Sequence, residues 1–255
     1  MNDDCTPLSN DELWLCHLSC VLWSEPERWI RYLGRAEELL GANITHLDKA
    51  DPVRRQVKSG KLSEVANYII SMGKREDSRW VFGKMETIGV EFSIQHYREV
   101  RGWPNAINWY FPPKFVEKIN GATVIRTLFD FGNATLTPFY GYSDTKSHIA
   151  RKKKETGSVD IQAELLGVFW LSFFDANYVT FIGKEKFNSL QGIGVKIDNG
   201  ATLELGETPA SVPNALRHTV EVEIGSKLFV DPKDMTDKRP GQYALTFDQL
   251  AGRVQ

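Results

Sequence analysis

The sequence predicts an α+β fold, with antiparallel or mixed sheets covered by helices, and three observations predict it. Val168 to Phe174 is a run of bulky apolar residues bounded by Gly167 and Asp175. A short apolar run rich in aromatic residues reads as a strand buried on both faces, hence central in a sheet. Ile88, Val90, Phe92 and Ile94 alternate, which is the period of a strand with one buried face. Trp29, Ile30, Leu33, Ala36 and Leu40 instead repeat at the 3.6-residue spacing of a helix.

Taken in order, Leu13 to Trp23 reads as a first strand. Ser24 as N-cap, Pro26 in the first turn and the acids Glu25 and Glu27 then start a helix that Gly41 ends. Asp51-Pro52 looks like a second helix start, and Leu62, Val65, Ala66, Ile69 and Ile70 carry that helix to Gly73. Lys74 to Arg79 is a charged loop. Met85 to Tyr97 and Ala106 to Phe111 form an antiparallel pair across a polar turn, and Pro112-Pro113 stops the sheet. Val116, Ile119, Val124, Leu128 and Phe129 predict a helix, or two turns of helix broken at Gly121. Ala134 to Tyr142 reads as extended, and residues 143–158, which hold the run RKKKE, as a solvated basic loop.

The apolar strand at 168–174 then feeds a short amphipathic helix closed by Gly183. Ile193 to Asp198 and Ala201 to Leu205 form a hairpin around the strong turn pair Asn199-Gly200. Val212 to Ile224 fits either period, and the Thr208-Pro209 start and Gly225 stop favour helix. Leu228 to Val230 is a final strand, followed by a polar tail at 232–242. Each half thus reads strand, helix, strand, strand, helix, strand, the order of a ferredoxin-like unit. The expected organisation is one domain, with structural halves at 12–142 and 160–232 joined by the basic loop.

Composition is that of an ordinary globular chain: 255 residues, 42% hydrophobic and 25% charged, with a net charge of -2. A chain that binds nucleic acid through its overall charge would be basic. No run is long enough for a membrane span. Asp3, Asp4, Asp11 and Glu12 stand where a secretory signal would carry positive charge, so the expected compartment is the cytoplasm.

Motifs for chemistry are missing from the sequence. Cys5, Cys16 and Cys20 are an odd, crowded set and no disulfide framework. On a strand, Cys16 and Cys20 stand roughly 13 Å apart and cannot share a zinc ion. Asp231, Asp234 and Asp237 lack the glycine and closing glutamate of a calcium loop. There is no phosphate-cradling loop, dinucleotide fingerprint, nucleophile elbow or zinc-protease motif. The expectation is therefore no catalytic residue, no metal and no cofactor, in a protein-binding module. An enzyme with an unrecognised site, a hydrolase or a transferase, and a structural subunit of an assembly are the alternatives.

Several stretches together carry a resemblance: Trp23-Ser24-Glu25-Pro26 before a long helix, VEFSIQHY, Pro104-Asn105-AINWYFP, FWLSFFDANYVTFIGKEKF, ATLELGETP and LFVDP. In these, over most of residues 12–232, the chain resembles the immunity protein 52 family of bacterial polymorphic-toxin and type VI secretion systems. The resemblance implies an α+β protein that binds and neutralises a cognate effector toxin, often a nuclease of restriction-endonuclease type. It implies neither catalytic residues nor direct contact with nucleic acid or membrane. Recognition is then expected on loops that combine aromatics with charge. These are His96, Tyr97, Glu99, Arg101 and Trp103 in one loop, Tyr140, Tyr142 and Asp144 in a second, and Glu204 and Glu207 beside the hairpin. Glu99 and Asp144 would pair with basic residues of a nuclease cleft.

Overall fold

A computed structural model gives the structure, described here for residues 11–21, 23–58, 60–73, 80–97, 103–117, 120–156, 159–231, 233–234, 236 and 238–252. Cys5, the segment Lys74 to Arg79, Glu99, Arg101 and Asp237 lie outside the described residues. The fold is α+β, and the chain divides into two compact units, Glu12–Pro138 and Phe139–Gln255 together with Met1–Asp11.

In the unit Glu12–Pro138 the strands are β1 (Leu13–Ser19), β2 (His46–Asp48), β3 (Trp80–Met85), β4 (Val90–Gln95) and β5 (Asn105–Phe111). Their order is β2-β3-β4-β5-β1, with every neighbouring pair antiparallel. Helices α1 (Pro26–Leu40), α2 (Leu62–Gly73), α3 (Pro113–Val116) and α4 (Gly121–Leu136) complete the unit, and α1 packs against both α2 and α4. Helix α1 has the predicted Pro start and ends on Gly41 at φ 64, a conformation in which a Cβ is costly. Its inner face buries Trp29, Tyr32, Leu33, Ala36 and Leu40. Buried indoles keep their N–H groups bonded: Trp23 donates to the Leu136 carbonyl (3.0 Å), Trp29 to the Trp23 carbonyl (3.1 Å) and Trp109 to the Tyr32 hydroxyl (2.9 Å).

The unit beginning at Phe139 has β6 (Tyr140–Thr145), β7 (Leu171–Asp175), β8 (Gly194–Ile197) and β9 (Gly200–Glu204), ordered β6-β7-β9-β8. These pairs are antiparallel too. Its helices are α5 (Lys146–Thr156), α6 (Ala176–Ile182), α7 (Lys184–Ser189), α8 (Asn214–Gly225) and α9 (Phe247–Leu250). β7 lies between β6 and β9, the interior place its apolar content predicts, and Phe169, Trp170 and Phe174 are fully buried around it. Asp175 caps α6, its carboxylate accepting from the Tyr178 amide at 2.9 Å.

Several expectations are corrected. Neither half has the strand order of a ferredoxin-like unit. Residues 86–89 are a turn, so the predicted strand Met85 to Tyr97 is shortened: Met85 ends β3 and β4 spans Val90–Gln95. Ser24 does not cap α1, where Glu25 holds the N-cap position, and no helix starts at Asp51-Pro52. Ala134 to Leu136 continues α4, and Leu228 to Val230 is reduced to one bridge between Leu165 and Phe229. The basic loop 143–158 is not a loop: β6 runs to Thr145 and α5 follows at once. The run RKKKE, without Gly or Pro, carries no turn chemistry, and long basic side chains favour helix when a neighbour covers the other face.

Candidate cationic cleft between α5 and α8

Three elements of the unit Phe139–Gln255 surround a cleft of about 380 Å³. Helix α5 supplies His148, Arg151 and Lys152; α8 supplies Asn214, Arg217, His218 and Glu221. The segment after α8 supplies Ser226, Phe229, Val230, Asp231 and Lys233. The helical spacing of 148, 151 and 152, and of 214, 217, 218 and 221, puts each set on one face.

Two ion pairs, one fully buried and one partly so, build the walls. Asp144, near the end of β6 and fully buried, accepts three hydrogen bonds from the Arg217 guanidinium, from Nε at 3.1 Å and from Nη2 at 2.9 and 3.1 Å. It also accepts from the Trp170 amide at 3.0 Å and the Thr145 amide at 2.8 Å. Arg217 in turn donates to the carbonyls of Val212 (2.6 Å) and Pro209 (3.4 Å), which ties the 3-10 turn Pro209–Ser211 to α8. Burial pushes the Asp144 carboxyl upward, while the guanidinium and the two amides favour its charged form. In the second pair the Lys152 ammonium meets Glu221 at 2.9 Å, and the same carboxylate oxygen accepts from the Val168 amide at 3.0 Å. Gly167 lies against this pair: a Cβ there would stand 2.8 Å from the Glu221 oxygen and 3.0 Å from the Lys152 nitrogen.

His148 is half-buried and lines the cleft. Its Nδ1 faces the Arg151 guanidinium at 2.9 Å. Arginine can only donate, so Nδ1 accepts and the ring is neutral, with its proton on Nε2. Burial, and then the positive charges of Arg217, Arg151 and Lys152, push the His148 pKa down to about 3.

The expected recognition residues fall elsewhere, or inside the fold. Tyr140, Tyr142 and Asp144 are buried within the chain rather than displayed on a loop. They lie in β6, where Tyr140 donates to the Gly167 carbonyl and Tyr142 stacks on Phe169. His96 and Tyr97, just beyond β4, are also buried, and burial lowers the His96 pKa. Trp103 is 55% exposed. Glu204 is half-buried in β9 and Glu207 is exposed. Cys16 is buried within β1 and Cys20 follows that strand's end. Among the described residues no group of three or more His, Cys, Asp or Glu side chains is placed to hold a metal ion, and no helix is long and apolar enough to cross a membrane.

The cleft was not legible in the sequence. Its residues come from segments some sixty positions apart that only the packing of α5 beside α8 brings together. The single hint was the basic run, which reads as a solvated loop in isolation.

No protein-family model matches the chain, and no curated protein matches it significantly in sequence. Among solved structures, the Pseudomonas aeruginosa T6SS protein PA0821 has a similar fold. The two are 13% identical, with a TM-score of 0.59 over 94% of this chain and 80% of that one. At that identity the likeness is one of fold.

Proposed function

We propose that this chain is a type VI secretion-associated immunity protein, which binds a cognate secreted antibacterial toxin and neutralises it by occluding its active site. The observation that carries the reading is the similarity in fold, over nearly the whole chain, to a T6SS protein. The resemblance of the stretches from Trp23-Ser24-Glu25-Pro26 to LFVDP to the immunity protein 52 family points the same way. From that resemblance the toxin is a nuclease, and the chain acts by stoichiometric binding without catalysis. Among the described residues of the expected set, Trp103 is the exposed aromatic, which suits it to anchor a partner.

Coexpression with the products of the neighbouring genes tests this. One of them should arrest growth when expressed alone, be silenced by this chain, and copurify with it. Trp103→Ala should weaken protection at unchanged melting temperature. A chain that neither protects cells from any neighbouring product nor copurifies with one would sink the reading.

A further inference from the structure

The lining of the cleft between α5 and α8 is unevenly neutralised. Arg217 is matched from behind by Asp144, and Lys152 by Glu221. Arg151, His218 and Lys233 line the same cleft, all three exposed, with Asp231 as the remaining acid. Among the described residues neither the Arg151 guanidinium nor the Lys233 ammonium is paired with a carboxylate, although the Lys233 amide donates to Asp231. Arg151 is nevertheless held in place: one guanidinium nitrogen donates to Asn214 Oδ1 at 3.1 Å and to His148 Nδ1 at 2.9 Å. Phe229 and Val230 add a buried apolar floor.

A guanidinium fixed by neutral partners loses little freedom when it binds an anion, and its planar fork matches a carboxylate. The apolar floor suits the carbon chain behind such a group. Asp231 on the same wall disfavours a dianion, and no glycine is among the described residues that line the cleft to offer a cradle of amide donors. The volume is that of a small pocket able to take a side chain with part of its backbone. We infer that this cleft binds a carboxylate side chain from an acidic segment that projects from a protein partner. The inference rests on the reading of the chain as a protein-binding module. It also reverses the expected charge pattern, since the acid comes from the partner and the base from this chain.

The test needs no toxin, so its failure and that of the proposed function are separable. N-acetylglutamate methylamide, standing in for a protein glutamate, and inorganic phosphate are titrated separately into the full chain. Binding is followed by NMR at the Arg151 Nε–H and the amides of α5 and α8. The glutamate probe should give saturable shifts confined to these elements, weakened by added salt. Arg151→Gln with Lys233→Gln should abolish them at unchanged melting temperature. Asp231→Asn keeps the acceptor for the Lys233 amide, now 2.9 Å away, and should tighten binding severalfold, which serves as the check should the double variant be destabilised. The inference fails if the glutamate probe gives no saturable shift, if phosphate is preferred, if the double variant binds like the parent, or if Asp231→Asn weakens binding.

Discussion

At the scale of single residues, Asp144 shows how position changes the meaning of a side chain. At the end of YGYSD it looks like an exposed acid ready for a partner, yet it is fully buried beneath Arg217. Removing one member of a buried, hydrogen-bonded pair leaves the other charge uncompensated, so Asp144→Ala should lose about 3–5 kcal/mol of stability. Urea unfolding measures it, and a loss under about 1 kcal/mol would mean that the pair is open to water. His17 makes a second case. It is fully buried in β1, stacked on Phe129, with Nε2 3.2 Å from the Phe129 carbonyl. Burial pushes its pKa from an ordinary 6.5 down to about 4. Between those values the unfolded chain binds a proton that the folded chain refuses, so stability falls as pH falls. The contribution is whole above pH 6.5 and erodes towards pH 4, by roughly 3 kcal/mol at most. The His17 ring resonances should stay those of neutral imidazole through pH 5, whereas a midpoint near 6.5 would show the ring to be solvated.

At the scale of elements, legibility followed locality. Helix α1, the β8–β9 hairpin and α8 are set by neighbouring residues: a Pro and acids at a start, Asn199-Gly200 at a turn, a glycine at an end. Helix α5 is not legible in its charge run, which says nothing about what covers the other face, and here Ile149 is fully buried. The three-residue β2 has too few residues to show a period, and α9 is announced only by its capping box, Thr246 with Gln249. The approach of α4 to β1 depends on Gly132, where a Cβ would lie 2.3 Å from the His17 ring. Both partners belong to packed elements, so Gly132→Ala should cost about 1–3 kcal/mol through overpacking. A variant that melts at or above the parental temperature would show that the two elements can separate without penalty.

At the scale of the whole molecule, each unit is organised around an antiparallel sheet, and in the unit from Phe139 the buried run Leu171–Phe174 holds an interior place. Trp170, fully buried ahead of β7, donates its indole N–H to the Gly206 carbonyl at 2.8 Å. Trp170→Ala should therefore cost about 3–5 kcal/mol, read as an earlier denaturant midpoint, and a variant unfolding with the parent would contradict the central place of that strand. The sequence by itself determined the α+β class, the interior position of the strand at 171–174 (Val168 to Trp170 lie ahead of it), the pairing of β4 with β5 and the terminal glycine of α1. These follow from period, turn chemistry and apolar content, which act over a few residues. Only the tertiary structure decided the strand orders, the burial of Asp144 and His96, and the cleft. Each depends on which distant side chain becomes a neighbour: Arg217 lies 73 positions from the carboxylate it neutralises, and no local pattern encodes a meeting at that separation.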